Sequence, residues 1–205
     1  MTERSNYHEA GIRRLSQAIA EGDGISVIAF APNAERARAA EEQGAEVLAL
    51  AERVAGVRDA TSLPLLWRAA GSPQTAADAG ADAWVLVVED ADDDDGALEA
   101  IQTEAALLGL ECVVDVRDED ELALALDRLD PEVLLLSGRD AEDDEHPLDR
   151  VLALLPDVPA GKLAIADVPV RSREEVVALE RAGVDAVLVR AVDVAELVGE
   201  PWPEV

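Results

Sequence analysis

Apolar residues along this chain gather into short runs, separated by stretches in which they recur every three or four positions. Eight runs lie near 26–31, 46–50, 63–68, 83–89, 111–116, 132–137, 162–167 and 185–190. Runs of this length, rich in Val, Leu and Ile, read as strands covered on both faces. The stretches between them read as helices. One joint recurs: Gly44-Ala45-Glu46-Val47-Leu48, Gly80-Ala81-Asp82-Ala83-Trp84 and Gly183-Val184-Asp185-Ala186-Val187, with a looser copy in Gly109-Leu110-Glu111-Cys112-Val113. Each glycine can take the left-handed conformation that ends a helix, and the acid then leads into a strand. A repeated helix-to-strand joint means repeated βα units and a parallel sheet.

Several helix starts are marked. Ser72-Pro73 places a cap before a proline at the first helical position. Ser172 with Glu175 has full capping-box spacing, and Asp118 with Glu121 shares it. The segment 97–108 is strongly helical in composition. The stretches 52–62 and 69–79 are too short for full helices, so the second and third helices should be trimmed. Residues 9–20 form an amphipathic pattern with Ile12, Leu15 and Ile19 on one face, which predicts a helix under the sheet or alongside it.

Eight βα units can close into a (βα)8 TIM barrel or stay open as a doubly wound sheet. No GxGxxG follows the first strand, which removes the usual reason for a dinucleotide-binding sheet. The expectation is a short α/β barrel forming one domain over residues 1–205, with residues 1–24 preceding strand one. Barrels of this type run to about 250 residues, with about 200 near the lower limit.

Composition adds a solvent condition. The net charge is −28 and aromatic residues make up 2% of the chain. Lys162 is the only lysine; all other basic positions are arginine. Such a surface repels itself in dilute buffer and is screened in strong salt, where the Debye length falls to roughly 3 Å at 1 M. The reading is a protein adapted to a salty cytoplasm. The same charge argues against nucleic-acid partners and against anionic membranes. Cys112 stands alone, so no disulfide framework exists. No run is long enough to span a bilayer, and no signal-peptide pattern is present.

From about residue 105 the chain resembles the indole-3-glycerol-phosphate synthase family. Leu108-Gly109-Leu110-Glu111 leads into Val114-Asp115-Val116-Arg117, similar to that family's fifth strand, which reads "VEVH". Leu136-Ser137-Gly138-Arg139-Asp140 is similar to the sixth-strand "INNRDL", and residues 148–156 to the "DL…LLP" helix after it. Ala166-Asp167-Val168-Pro169-Val170-Arg171-Ser172 lies where the family has "AESGIRS", and Gly183 to Arg190 resembles "GADAFLVG". Upstream, Ser62-Leu63-Pro64-Leu65-Leu66 resembles "LPVLRKDF", and Gln74 through Asp82 echoes "Q…A…GAD".

The resemblance implies a monomeric, cofactor-free barrel enzyme, a carbon–carbon lyase of tryptophan biosynthesis working at the strand C-termini. Transferred position by position, it marks Arg68 and Asp115 as catalytic positions, and Ser137, Arg139, Asp167 and Arg190 as substrate-binding ones. The departures sit at these places. The family's general-acid lysine after strand three is Arg68 here. Its first-strand "AEIK" is Ala29-Phe30-Ala31-Pro32, with neither the glutamate nor the second lysine. Two glutamates shorten to Asp115 and Asp167, and an asparagine becomes Ser137. The phosphate-gripping Ser-Gly becomes Val168-Pro169, and the eighth-strand glycine becomes Arg190.

Three readings follow. The first is a diverged barrel that binds a small anionic or phosphorylated metabolite without the parent reaction. The second is an authentic synthase with substituted groups. The third is a non-catalytic partner or regulatory subunit. Arg190 has two further candidate partners, Asp167 and Asp193. The remaining features read as structural. Glu89 to Gly96 fails EF-hand spacing, since Gly96 as sixth position puts Gln102 at the twelfth. His8 and His146 lack metal-ligand partners at useful spacing, so no metal is expected. Cys112 reads as a small buried hydrophobe. Trp67 and Trp84 read as packing residues, with Trp67 also placed to wall a pocket beside Arg68.

Overall fold

A computed structural model describes residues 13–22, 24–88, 96–138, 146–190 and 194–198. Its eight strands are parallel and close on themselves in sequence order, β8 pairing with β1. They are β1 (Ser26–Phe30), β2 (Val47–Leu50), β3 (Leu65–Trp67), β4 (Ala83–Val87), β5 (Glu111–Val116), β6 (Val133–Ser137), β7 (Leu163–Asp167) and β8 (Ala186–Val189). The open-sheet alternative is thereby excluded. The helices are α1 (Arg14–Glu21), α2 (Ala34–Glu42), α3 (Val57–Ala60), α4 (Pro73–Asp78), α5 (Ala97–Leu107), α6 (Glu119–Arg128), α7 (Pro147–Leu154), α8 (Arg173–Ala182) and α9 (Ala195–Val198). As the short intervals predict, α3 and α4 are trimmed, to four and six residues. No described helix is long and apolar enough to cross a membrane.

Period-two alternation sorts each strand into two cores. Val114, Leu134, Leu136, Val187 and Trp84 face the helix layer. Ile28, Leu66, Val113, Leu135, Ile165 and Leu188 fill the barrel. The helix α1 closes the lower end. Leu15 and Ile19, 0% and 3% exposed, join the interior cluster, each burial stabilising by about 1.5–3 kcal/mol.

The acid of the recurring joint has a specific function. Asp82 accepts the N–H of Leu65 and Asp185 that of Ala164, each at 2.8 Å, so each carboxylate ties the start of its own strand to the neighbouring one. Asp82 also takes ion pairs from Arg14 and Arg58. Glu111 does something different: its two oxygens accept the N–H groups of Leu15 and Ser16, at 2.6 and 3.1 Å. These are first-turn donors of α1 that have no partner within the helix. Glu111→Gln should lower stability by about 1–2 kcal/mol, read as a shift in the urea midpoint in molar KCl.

The marked helix starts cap as expected, with one shift. Asp118 and Ser172 accept from Glu121 N–H and Glu175 N–H. The reciprocal glutamates accept from Arg117 and Arg171, one residue before the cap, where a standard capping box would use the cap's own N–H. The predicted glycines at 44, 80, 109 and 183 all have positive φ, between 77° and 101°. Gly138 is required for another reason: a Cβ there would lie 2.6 Å from Pro147 Cβ and 2.9 Å from its carbonyl oxygen.

Candidate functional site at the barrel mouth

Alternate strands of an eight-stranded barrel contribute side chains to the same layer. On β1, β3, β5 and β7, the interior residues Ile28, Leu66, Val113 and Ile165 are fully buried. Two residues further on, the same face carries Phe30, Arg68, Asp115 and Asp167. The top layer is therefore charged where the one beneath it is apolar.

Arg68 is the centre of this layer. Its Nη2 lies 3.2 Å from Asp115 Oδ2 and 3.0 Å from Asp167 Oδ2. The side chains are 9%, 0% and 1% exposed respectively, so one guanidinium spans two carboxylates almost without water. The other oxygen of Asp167 has no hydrogen-bond partner and faces Arg190 Nη2 at 3.4 Å. Arg190 is the exposed member, at 58%, and its guanidinium lies 5.2 Å from the centroid of the Phe30 ring. A cation over an aromatic face is held by the ring quadrupole, so Phe30 and Asp167 together hold Arg190 at the rim.

Ser137 is fully buried and stands in register with Asp167 across the β6–β7 pair. The structure thus brings together Arg68, Asp115, Ser137, Asp167 and Arg190. Arg139 and Asp193 lie outside the described residues, as do His8, Ile12 and the acidic stretches 89–95 and 140–145. Of the two partners open to Arg190, Asp167 is observed.

Beside Arg190 is a cavity of about 220 Å3 lined by Val168, Pro169, Val170, Arg171 and Arg190. Pro169 has no N–H to offer an anion. The start of α8 is also unwelcoming, because Glu174 and Glu175 occupy its first turn and Ser172 already accepts from Glu175 N–H. Positive charge in this cavity comes from the two arginines. Arg171 and Phe30 were not singled out in the sequence. Phe30 had a signal, since period two places it on the face of Ile28. Arg171 lies in a loop, where no periodicity applies.

Trp67 turns outward into the helix-side core, and the cavity of about 360 Å3 that includes Arg68 is walled by Trp84. His146 caps α7, its Nδ1 accepting from Leu148 N–H at 3.3 Å. Among the described residues no group of three His, Cys, Asp or Glu side chains is placed to hold a metal ion. Cys112 is half-buried at the edge of a surface cavity, and burial pushes its thiol up to about 12. At mildly alkaline pH a disulfide reagent should therefore label it much more slowly than an unstructured thiol. The sign follows: the unfolded thiol ionises from about 8.5. Its contribution is complete below that value and is lost as pH rises toward 12.

A family model described as indole-3-glycerol phosphate synthase matches residues 73–192. Indole-3-glycerol phosphate synthase of Acidithiobacillus ferrooxidans is 36% identical over 110 residues, covering 54% of this chain and 41% of the relative. The enzyme of the same name from Acetivibrio thermocellus is 32% identical over the same shares. These matches thus span about two fifths of the relatives' length. Among solved structures, the N-acetylmannosamine-6-phosphate 2-epimerase of Clostridium perfringens superposes with a TM-score of 0.70 at 11% identity, over 94% of this chain and 93% of its own. Thiamine phosphate pyrophosphorylase of Pyrococcus furiosus gives 0.66 at 18% identity, over 90% and 96%. At these identities the structural likeness concerns the fold.

Proposed function

The chain belongs to the indole-3-glycerol phosphate synthase family, and from that premise we propose that its barrel mouth binds a small anionic, phosphate-bearing metabolite without performing the parent synthase reaction. The observation that carries this reading is Arg68 held between two buried carboxylates. A guanidinium ionises above about pH 12, so it binds charge well and donates protons poorly. Asp115 and Asp167 are occupied in holding it. The anion's place is the cavity at Arg171 and Arg190, whose forked guanidinium groups suit the oxygens of a phosphate.

The test is ligand-dependent melting in molar KCl, with inorganic phosphate and ribulose 5-phosphate as probes. Both should raise Tm, the sugar phosphate at lower concentration. Arg190→Ala should weaken binding roughly tenfold or more, as expected for a lost charged contact. Unchanged melting with both probes, or an unaltered response in Arg190→Ala, would sink the proposal. Family membership by itself favours a second reading, a working synthase with substituted groups. Turnover separates the two.

A further inference from the structure

Arg190 holds two neighbours at the rim of the barrel mouth. Its Nη2 lies 3.4 Å from Asp167 Oδ1, and its guanidinium lies 5.2 Å from the centroid of the Phe30 ring. Phe30 ends β1 and Asp167 ends β7, with β8 between them in the closed ring. From the end of β8, the Arg190 side chain thus ties together strand ends on both sides of its own.

The same side chain lines the cavity it shares with Arg171. It cannot give itself fully to the mouth and to an anion. Nη2 belongs to both forked edges of a guanidinium, and it is the nitrogen turned to Asp167. An anion that took either fork in place would sit close to the Asp167 carboxylate. Like charges at that range repel, and partial burial leaves them poorly screened. Drawing Arg190 away from Asp167 removes the conflict. Neither existing contact is strong enough to prevent it. The Arg190 side chain is 58% exposed, and an exposed ion pair or cation–π contact is worth about fivefold in affinity or less. Asp167 also keeps a counter-charge when Arg190 leaves, because Arg68 Nη2 stays 3.0 Å from its other oxygen.

We infer that Arg190 is a latch released by an anion. In the free chain it closes over Phe30 and Asp167. An anion in the Arg171 cavity takes the guanidinium and opens the rim. The inference rests on the reading of that cavity as an anion site.

The chain holds a single phenylalanine, so labelling with 4-fluorophenylalanine gives one fluorine resonance, at Phe30. Spectra are taken in KCl at constant molar ionic strength. The labelled chain and its Arg190→Ala variant should resonate at different positions. Inorganic phosphate should move the first toward the second and leave the second where it is. Phe30→Leu removes the ring side of the latch, and in calorimetric titration it should tighten phosphate about two- to fivefold. Identical resonances with and without Arg190 would overturn the latch. So would a phosphate complex, seen as a raised Tm, whose fluorine signal has not moved, or a Phe30→Leu chain that binds phosphate no better. In those last two cases the anion site itself stands. Phosphate that neither raises Tm nor moves the signal would sink the anion site, and release by an anion would fall with it.

Discussion

Arg68→Met should destabilise the fold by about 3–5 kcal/mol, the loss expected when one partner is removed from a buried ionic group. The guanidinium lies within ion-pairing distance of both Asp115 and Asp167. Asp115 and Asp167 are 0% and 1% exposed at the side chain, so water cannot take over its role without opening the barrel mouth. Arg190 is 3.4 Å from Asp167 and is itself more than half exposed, which makes it a weak substitute. Urea melts in molar KCl measure the effect, because they hold the ionic strength constant along the titration, which guanidinium chloride would not. The converse variant sharpens the test. Replacing all three residues together, Arg68→Met with Asp115→Val and Asp167→Val, removes the charges as a set and should recover most of the loss. An Arg68→Met midpoint equal to that of the unmodified chain would show that the three charges do not form one buried unit.

The barrel was readable in the sequence because its grammar is local. The glycines that end helices, the acids that follow them and the period-two runs all act within a few residues. The eight runs accordingly match β1 to β8 to within about two residues. Even the trimmed α3 and α4 follow from the length available between runs. The mouth was readable only in part. Resemblance and strand phase place Arg68, Asp115, Ser137, Asp167 and Arg190 at the strand ends, yet phase says nothing of which charge meets which. That Arg68 spans β3, β5 and β7 depends on closure and on the layering of alternate strands, which are properties of the whole ring. The role of Glu111 was hidden for the same reason. Its partners Leu15 and Ser16 are about a hundred residues away, and only the docking of α1 under the closed barrel brings them together. The cavity beside Trp84 was invisible because it is a space next to the short α4, and sequence patterns record what is present.

Given carboxyphenylamino-deoxyribulose phosphate in molar KCl, the purified chain should form indoleglycerol phosphate at least about 10³-fold more slowly than a lysine-bearing synthase run beside it. General acid–base groups contribute about 10²–10⁴-fold each, and this chain lacks the resemblance-implied donor after β3 and a second group on β1. At the first site the guanidinium of Arg68 keeps its proton near neutrality. At the second, the top interior position of β1 is Phe30, a hydrocarbon ring lying beneath Arg190. Neither position can be repaired by water, since ring closure needs donor and acceptor held in fixed geometry. Arg68→Lys alone should therefore leave the chain inert, because the lysine would still face a β1 end without a titratable group. Fluorescence of the indole product follows the reaction directly. Appreciable turnover by the unmodified chain would mean that a carboxyl group or an arginine of this mouth transfers the proton, and the reading of Arg68 as a fixed charge would fall with it.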